Sequence, residues 1–131
     1  MKSLQPVLAL TLFSLALPSL AADEADRDLK DFIAYFRSVR TPTVVDLCKP
    51  ITDDKSAFAQ LPNNWLQANS EPIARGKNIA LSRMQSEQQL DDSNAAMLAD
   101  LKDDFARKSL QDKVTFCGNA LNSYKLTTSN N

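Results

Sequence analysis

Histidine is absent from this 131-residue chain, and glycine and cysteine occur only twice each. Without histidine the commonest metal ligand and general base is missing, and neither a Ser-His-Asp nor a Cys-His catalytic arrangement can form. Two isolated glycines, Gly76 and Gly118, are too few for a glycine-rich loop that cradles phosphate. These absences argue against most enzymes, and we predict no catalytic residue, no cofactor and no metal site.

Carboxylates are plentiful, but their arrangement does not indicate a catalytic pair. Adjacent acidic residues occur at Asp53-Asp54, Asp91-Asp92 and Asp103-Asp104. On a helix such neighbours point about 100° apart, which makes them poor acid/base partners. Asp26-Arg27-Asp28 begins like a calcium loop, yet the glycine and the later glutamate of such a loop are missing. A small hydrolase with two carboxylates from distant segments is therefore the least favoured alternative.

A strongly basic surface is also lacking. Lys and Arg number 15 against 16 Asp and Glu, and without Lys2 the basic residues fall to 14. This near-neutral balance does not have the basic footprint of a nucleic-acid binder. There is no polybasic cluster and no second apolar span, so we expect no stable membrane anchor.

The first 21 residues have the pattern of a secretory signal peptide. Lys2 precedes the apolar run 7–17, and small residues, Ser19 and Ala21, follow it. Such a segment is too short for a permanent membrane anchor. We predict that residues 1–21 are cleaved, that residues 22–126 form one helical domain, and that residues 127–131 are a flexible tail. The alternative is that the apolar segment is a buried N-terminal helix.

Export determines how the two cysteines should be interpreted, because thiols in the periplasm or outside the cell tend to form disulfides. Cys48 and Cys117 are the only cysteines, so one intramolecular bond is possible. The chain contains no Cys-x-x-Cys motif that would indicate a redox role. The alternative to an intramolecular bond is that the thiols are free or bonded to another molecule. We expect this bond to join the front of the chain to its last helix, with Cα atoms about 4.4 to 6.8 Å apart.

The remaining chain has the spacing of amphipathic helices interrupted by turns. We predict a helix over residues 26–40 that ends at Thr41-Pro42, a short helix over 43–49, and another that begins near Thr52 and stops at Pro62. The apolar face of the first of these helices should comprise Leu29, Phe32, Ile33, Phe36 and Val39.

Three further helical segments are expected after Pro62. One starts at Ser70 and reaches about residue 89, a turn follows at 91–94, and the next helix breaks near Lys108-Ser109. Ser109 and Asp112 resemble a capping box at the start of the last helix. The apolar residues that we expect to be largely buried are Phe32, Phe36, Leu98, Leu101, Phe105, Val114 and Leu121. The last helix should turn toward the core a stripe formed by Leu110, Val114, Cys117, Leu121 and Tyr124.

Residues of the types that dominate binding energy at protein interfaces cluster in three segments. The candidate partner-binding residues are Tyr35, Arg37, Arg40, Asn63, Asn64, Trp65, Arg75 and Lys77. We hypothesise that they share one side of the molecule. The alternative for Trp65 is a place in the core, and the alternative for Tyr35 is a place at the core edge.

These patterns predict an all-α bundle of four to five helices with proline-punctuated helical turns, stapled by Cys48 and Cys117. We expect a periplasmic or secreted protein that binds another protein, for example an immunity or inhibitor-type protein or an accessory protein of the cell envelope. A periplasmic stress chaperone is the alternative. The architecture is similar in general terms to acid-stress chaperones and to helical immunity proteins, but this resemblance covers no motif and implies no residue roles.

Overall fold

The computed structural model describes residues 18–126, which form five α-helices and no strand. The helices are α1 (Pro18–Cys48), α2 (Lys55–Ala68), α3 (Ser70–Ser82), α4 (Glu87–Arg107) and α5 (Leu110–Leu126). The predicted all-α class is confirmed. Residues 1–17 of the predicted signal peptide and the predicted tail 127–131 lie outside the described range. None of the described helices combines the length and the apolar character that crossing a bilayer requires.

Helix α1 is longer than predicted at both ends, because it begins at Pro18 rather than near residue 26 and continues through Pro42. An internal proline costs about 3 kcal/mol, since it lacks the N–H of the helical bond and crowds the preceding turn. Burial beyond the proline offsets this cost, as Val44 and Cys48 are both in the core. The Thr41 hydroxyl also donates to the Arg37 carbonyl over 2.8 Å. The predicted end of the helix at Pro42 is therefore wrong.

Helix α2 contains a proline as well. Its first turn is capped by Asp54, whose carboxylate accepts the Ala57 N–H at 3.0 Å. Pro62 is fully buried inside the helix, which runs on to Ala68. The amide of Asn63 donates to the Ala59 carbonyl. Prolines thus lie in the interior of both α1 and α2, and the predicted stop at Pro62 is wrong.

The boundary before α4 also differs from the prediction. Ser86 caps α4 by accepting the Gln89 N–H, and the predicted turn at 91–94 lies inside the helix. The break between α4 and α5 is where the sequence predicts it. The hydroxyl of Ser109 accepts the Asp112 N–H at 3.1 Å and donates to the Asp112 carboxylate at 2.8 Å. The first bond is the N-cap half of the predicted capping box, whereas the Asp112 carboxylate binds the Ser109 hydroxyl rather than its backbone N–H.

The disulfide fastens α5 to the end of α1. Cys48 and Cys117 are bonded, with their Cα atoms 5.5 Å apart, which confirms the predicted bond. The Thr41 and Tyr124 hydroxyls share a buried hydrogen bond of 2.8 Å. Because higher residue numbers on α5 contact lower numbers on α1, the two helices are antiparallel.

The buried apolar residues form two clusters along α1. The first lies around the disulfide and includes Val44, Phe58, Phe105 and Leu121. The second is smaller and joins α1, α3 and α4 through Tyr35, Ala80 and Leu90. Polar side chains are buried beside them: Asp31, Thr41 and Asn94.

Gly76 allows α3 to approach α1 closely. A Cβ at this position would lie 1.9 Å from the Asp31 carbonyl oxygen and 2.8 Å from the Tyr35 Cβ. Beside it, the Arg75 guanidinium donates to both carboxylate oxygens of Asp31, at 2.6 and 3.1 Å. This contact turns the Asp31–Tyr35 face of α1 inward.

The apolar faces are consequently rotated relative to the prediction. Leu29 and Ile33 are 53% and 56% exposed, and on α5 Leu110 and Val114 are 71% and 46% exposed. Their predicted burial is wrong. Phe105 and Leu121 are buried as predicted, while four residues expected to be buried are only half-buried: Phe32, Phe36, Leu98 and Leu101.

Candidate functional site

The structure separates the predicted partner-binding residues into groups. Tyr35 is only 6% exposed, and its hydroxyl accepts the Asn94 amide N–H at 2.8 Å in the second core cluster. It lies in the core rather than on a contact surface. Arg75 and Lys77 are both engaged with carboxylates, those of Asp31 and Glu87.

Those ion pairs explain why the pKa of each cation is raised. The hydrogen bond that Arg75 donates to the Asp31 carboxylate raises the pKa of Arg75, and the one that Lys77 donates to Glu87 raises the pKa of Lys77. The Arg75 pair is half-exposed on its cationic side and buried on its acidic side. We therefore interpret Arg75 as a structural residue that neutralises Asp31.

The asparagines of α2 belong to another part of the surface. Asn63 lines a groove of about 380 Å³ between α1 and α2, in which Pro42 and Pro62 also lie. Asn64 is exposed and does not line this groove. The eight candidate residues therefore do not line one groove, and the hypothesis that they share one side of the molecule stays a prediction.

Three candidate residues do lie near one another, at or beneath a groove of about 420 Å³ between α1 and α5: Arg37, Arg40 and Trp65. The two arginines line it, whereas Trp65 is 2% exposed and lies in the core beneath Arg37. The other residues that line this α1–α5 groove are Val44, Phe116, Asn119, Ala120, Ser123 and Tyr124.

Two aromatic rings hold the Arg37 guanidinium. Its Cζ lies 4.3 Å from the centroid of Trp65 and 4.6 Å from that of Tyr124, within the range of cation–π attraction. The two centroids are 5.9 Å apart and the ring planes meet at 66°. The guanidinium therefore sits in the corner between the rings rather than in a sandwich.

A hydrogen bond fixes one edge of the same guanidinium. Nη2 of Arg37 donates to the Ser123 hydroxyl at 3.0 Å, and that hydroxyl donates to the Ala120 carbonyl at 2.6 Å. An arginine side chain carries five N–H donors in a planar fork. This bond uses one of them.

The charge of Arg37 has no acidic counterpart among residues 18–126, where the ion pairs involve other cations. Burial lowers the pKa of Arg37, and the nearby Tyr124 hydroxyl partly opposes this effect. A cation in such a position has lost part of its hydration without gaining an anion in return. The groove thus presents a positive charge that an external anion could neutralise.

Most of the groove was not anticipated from the sequence. Phe116, Asn119, Ala120 and Ser123 follow one another on α5 at spacings of three, one and three positions, so they share a helix face. That face adjoins the stripe through Cys117, Leu121 and Tyr124, which the spacing did identify. What the spacing could not show is that Arg37 faces it.

Other kinds of site were sought over the same residues. No group of three or more cysteines, aspartates or glutamates is placed to hold a metal ion within the part of the chain that the structure describes. Comparisons with protein-family models, with curated proteins and with solved structures each found no match to this chain.

Proposed function

We propose that this chain is an exported, disulfide-stapled helical protein that acts by binding another protein through the α1–α5 groove. The observation that carries the proposal is the half-buried Arg37, which two rings and a serine hold and which pairs with no carboxylate among residues 18–126. A surface cation normally remains hydrated or finds an acid within its own chain. One that does neither is suited to an acid supplied by a partner.

The residue types around the groove also favour a protein partner. Arginine, tyrosine and tryptophan are the side chains most often found at the centres of interfaces, where rigid aromatic groups limit the entropy lost on binding. Here Trp65 and Tyr124 pre-organise Arg37. The apolar side of the groove, Val44 with Phe116, would exclude water around the contact.

The proposed setting is the periplasm or the extracellular medium. The N-terminal sequence supports export, and a disulfide between Cys48 and Cys117 is compatible with it. An immunity or inhibitor-type protein, or an accessory protein of the cell envelope, would use one rigid groove for one partner.

A periplasmic stress chaperone is the second candidate, and a different observation favours it. Leu29 and Ile33 are four residues apart on α1 and both are exposed, as are Leu110 and Val114 on α5. Exposed apolar pairs of this kind suit weak binding of many unfolded clients. A chaperone would depend on these pairs rather than on the groove.

The test is capture of partners from a cell-envelope extract of the source organism by matched variants. Asn119→Trp fills the groove, whereas Asn122→Trp places the same side chain on an exposed position of α5 outside it. Arg40→Glu reverses a charge in the groove, and Arg27→Glu makes the same reversal elsewhere on α1.

The proposal expects a protein that the wild type and both control variants retain, and that both groove variants lose at unchanged melting temperature. Equal capture by all four variants would refute the groove as the binding surface. Capture of many proteins that falls instead with Leu29→Gln would favour the chaperone.

A further inference from the structure

We propose that the α1–α5 groove recognises an amphipathic helix of the partner, through one acidic side chain and one apolar side chain on the same helix face. This inference rests on the proposed function and adds the chemistry and the shape of what is bound. It follows from the positions of the charged and apolar side chains along the groove, from the distance between them, and from the kind of hydrogen-bond donor that the groove offers.

One end of the groove is cationic. Arg37 and Arg40 lie three residues apart on α1, which places both on one face, and both line the groove. Arg40 forms no ion pair in the described part of the chain, although Asp100 and Asp104 line a second, smaller groove with it. In a protein partner, the anion that matches an arginine fork is a carboxylate.

The other end is apolar. Val44 lies one helical turn beyond Arg40, and on α5 Phe116 lies two turns before Ser123. Phe116 is half-buried and stacks edge-on against Phe105 at 5.5 Å, so its ring is held in place. This end can bury an aliphatic or aromatic side chain of the partner.

The spacing of the two ends fits a helix. Arg40 to Val44 is a rise of about 6 Å and Arg37 to Val44 about 10.5 Å at 1.5 Å per residue. Residues four and seven apart on a partner helix are separated by the same distances. An acidic residue and an apolar residue at either spacing could therefore occupy both ends together.

The alternative source of a carboxylate, the C-terminus of a partner chain, fits less well. Capture of a terminal carboxylate commonly uses a nest of free backbone N–H groups. The groove is formed by the sides of α1 and α5, whose backbone groups are occupied within the helices, so its donors are side chains. We therefore assign the carboxylate to a glutamate or aspartate within the partner helix.

The probe is an alanine-based helical peptide with one Glu and one Leu, at spacings of four and seven and in both orders. Trp65 is the only tryptophan of the protein and touches Arg37, so its fluorescence reports on the cationic end. Salt dependence gives a second readout, because the contact at Arg40 is exposed.

At least one Glu–Leu peptide should bind the full chain, about tenfold more tightly than its Gln–Leu and Glu–Ala counterparts. The preference for Glu should shrink in Arg40→Gln and persist in the matched Arg27→Gln variant. Both variants keep the half-buried Arg37. A peptide that ends in a free carboxylate, without an internal acid, should bind no better than the Gln–Leu peptide.

The inference is overturned if Glu and Gln peptides bind alike, or if no peptide of either order and spacing binds. In that case partner loss in Asn119→Trp would still leave the proposed function standing. If peptides bind as expected but Asn119→Trp retains the natural partner, the proposed function fails and the recognition chemistry remains.

Discussion

Replacing Gly76 by alanine should destabilise this protein, although helix propensity alone predicts the opposite. Alanine is favoured over glycine inside a helix by about 1 kcal/mol. The structure places the new Cβ 1.9 Å from the Asp31 carbonyl oxygen, where ordinary contact begins near 3.4 Å. That oxygen belongs to the backbone of α1, so it cannot rotate away, and α1 and α3 must separate by about 1.5 Å.

The cost of this separation can be worked from what the contact holds. A gap of 0.5 to 1 Å already loses a quarter to a half of the dispersion energy across an interface, and overpacking typically costs 1–3 kcal/mol. The movement would also stretch the 2.6 Å contact between Arg75 and Asp31. We expect a net loss of about 3 kcal/mol, or a melting temperature lower by about 10 to 20 °C.

Gly118 is the matched control, because it is also in the interior of a helix but has open space where a Cβ would lie. Gly118→Ala should raise the free energy of unfolding by about 0.5–1 kcal/mol. Urea unfolding followed by far-UV circular dichroism measures both variants. If Gly76→Ala is as stable as the wild type, the close approach of α3 to α1 is refuted. If Gly118→Ala destabilises the protein, the space around Gly118 on α5 is not open, contrary to the structure.

Three other changes test the remaining supports of the fold. Replacing Cys48 and Cys117 together by serine should lower the free energy of unfolding by roughly 4 kcal/mol, since a long loop is released in the unfolded chain; urea midpoints that match those of the wild type would contradict this. Tyr35→Phe removes the acceptor of the buried Asn94 amide and should cost about 1–3 kcal/mol, and a double-mutant cycle with Asn94→Leu should show coupling rather than additivity. Leu29→Gln should change thermal stability by less than about 0.5 kcal/mol, because the side chain is exposed; a large loss would place it in the core.

The sequence by itself determined the features that depend on local chemistry. Two cysteines leave one intramolecular pairing, and Cys48 and Cys117 do form it. The N-cap at Ser109 and the break before α5 follow from hydrogen bonds between residues three positions apart. Apolar spacing likewise identified the all-α class.

Features that depend on a neighbouring helix were not readable in the same way. Pro42 looks like a helix end, because the cost of an internal proline is local whereas the burial of Val44 and Cys48 that offsets it is tertiary. Spacing also gave α1 an apolar stripe through Leu29 and Ile33. Contact with Gly76 of α3 decided instead which face is buried.

The candidate site shows the same division. Composition pointed to Arg37, Arg40 and Trp65 as residues suited to binding, yet it could not separate them from Arg75 and Lys77. Only the tertiary structure decided that Arg75 meets Asp31, 44 positions away. Arg37 instead meets Tyr124 and Ser123, and it pairs with no acid in the part of the chain that the structure describes. Whether a cation is structural or available for a partner depends on which charges the fold brings to it, and that is a property of packing rather than of sequence spacing.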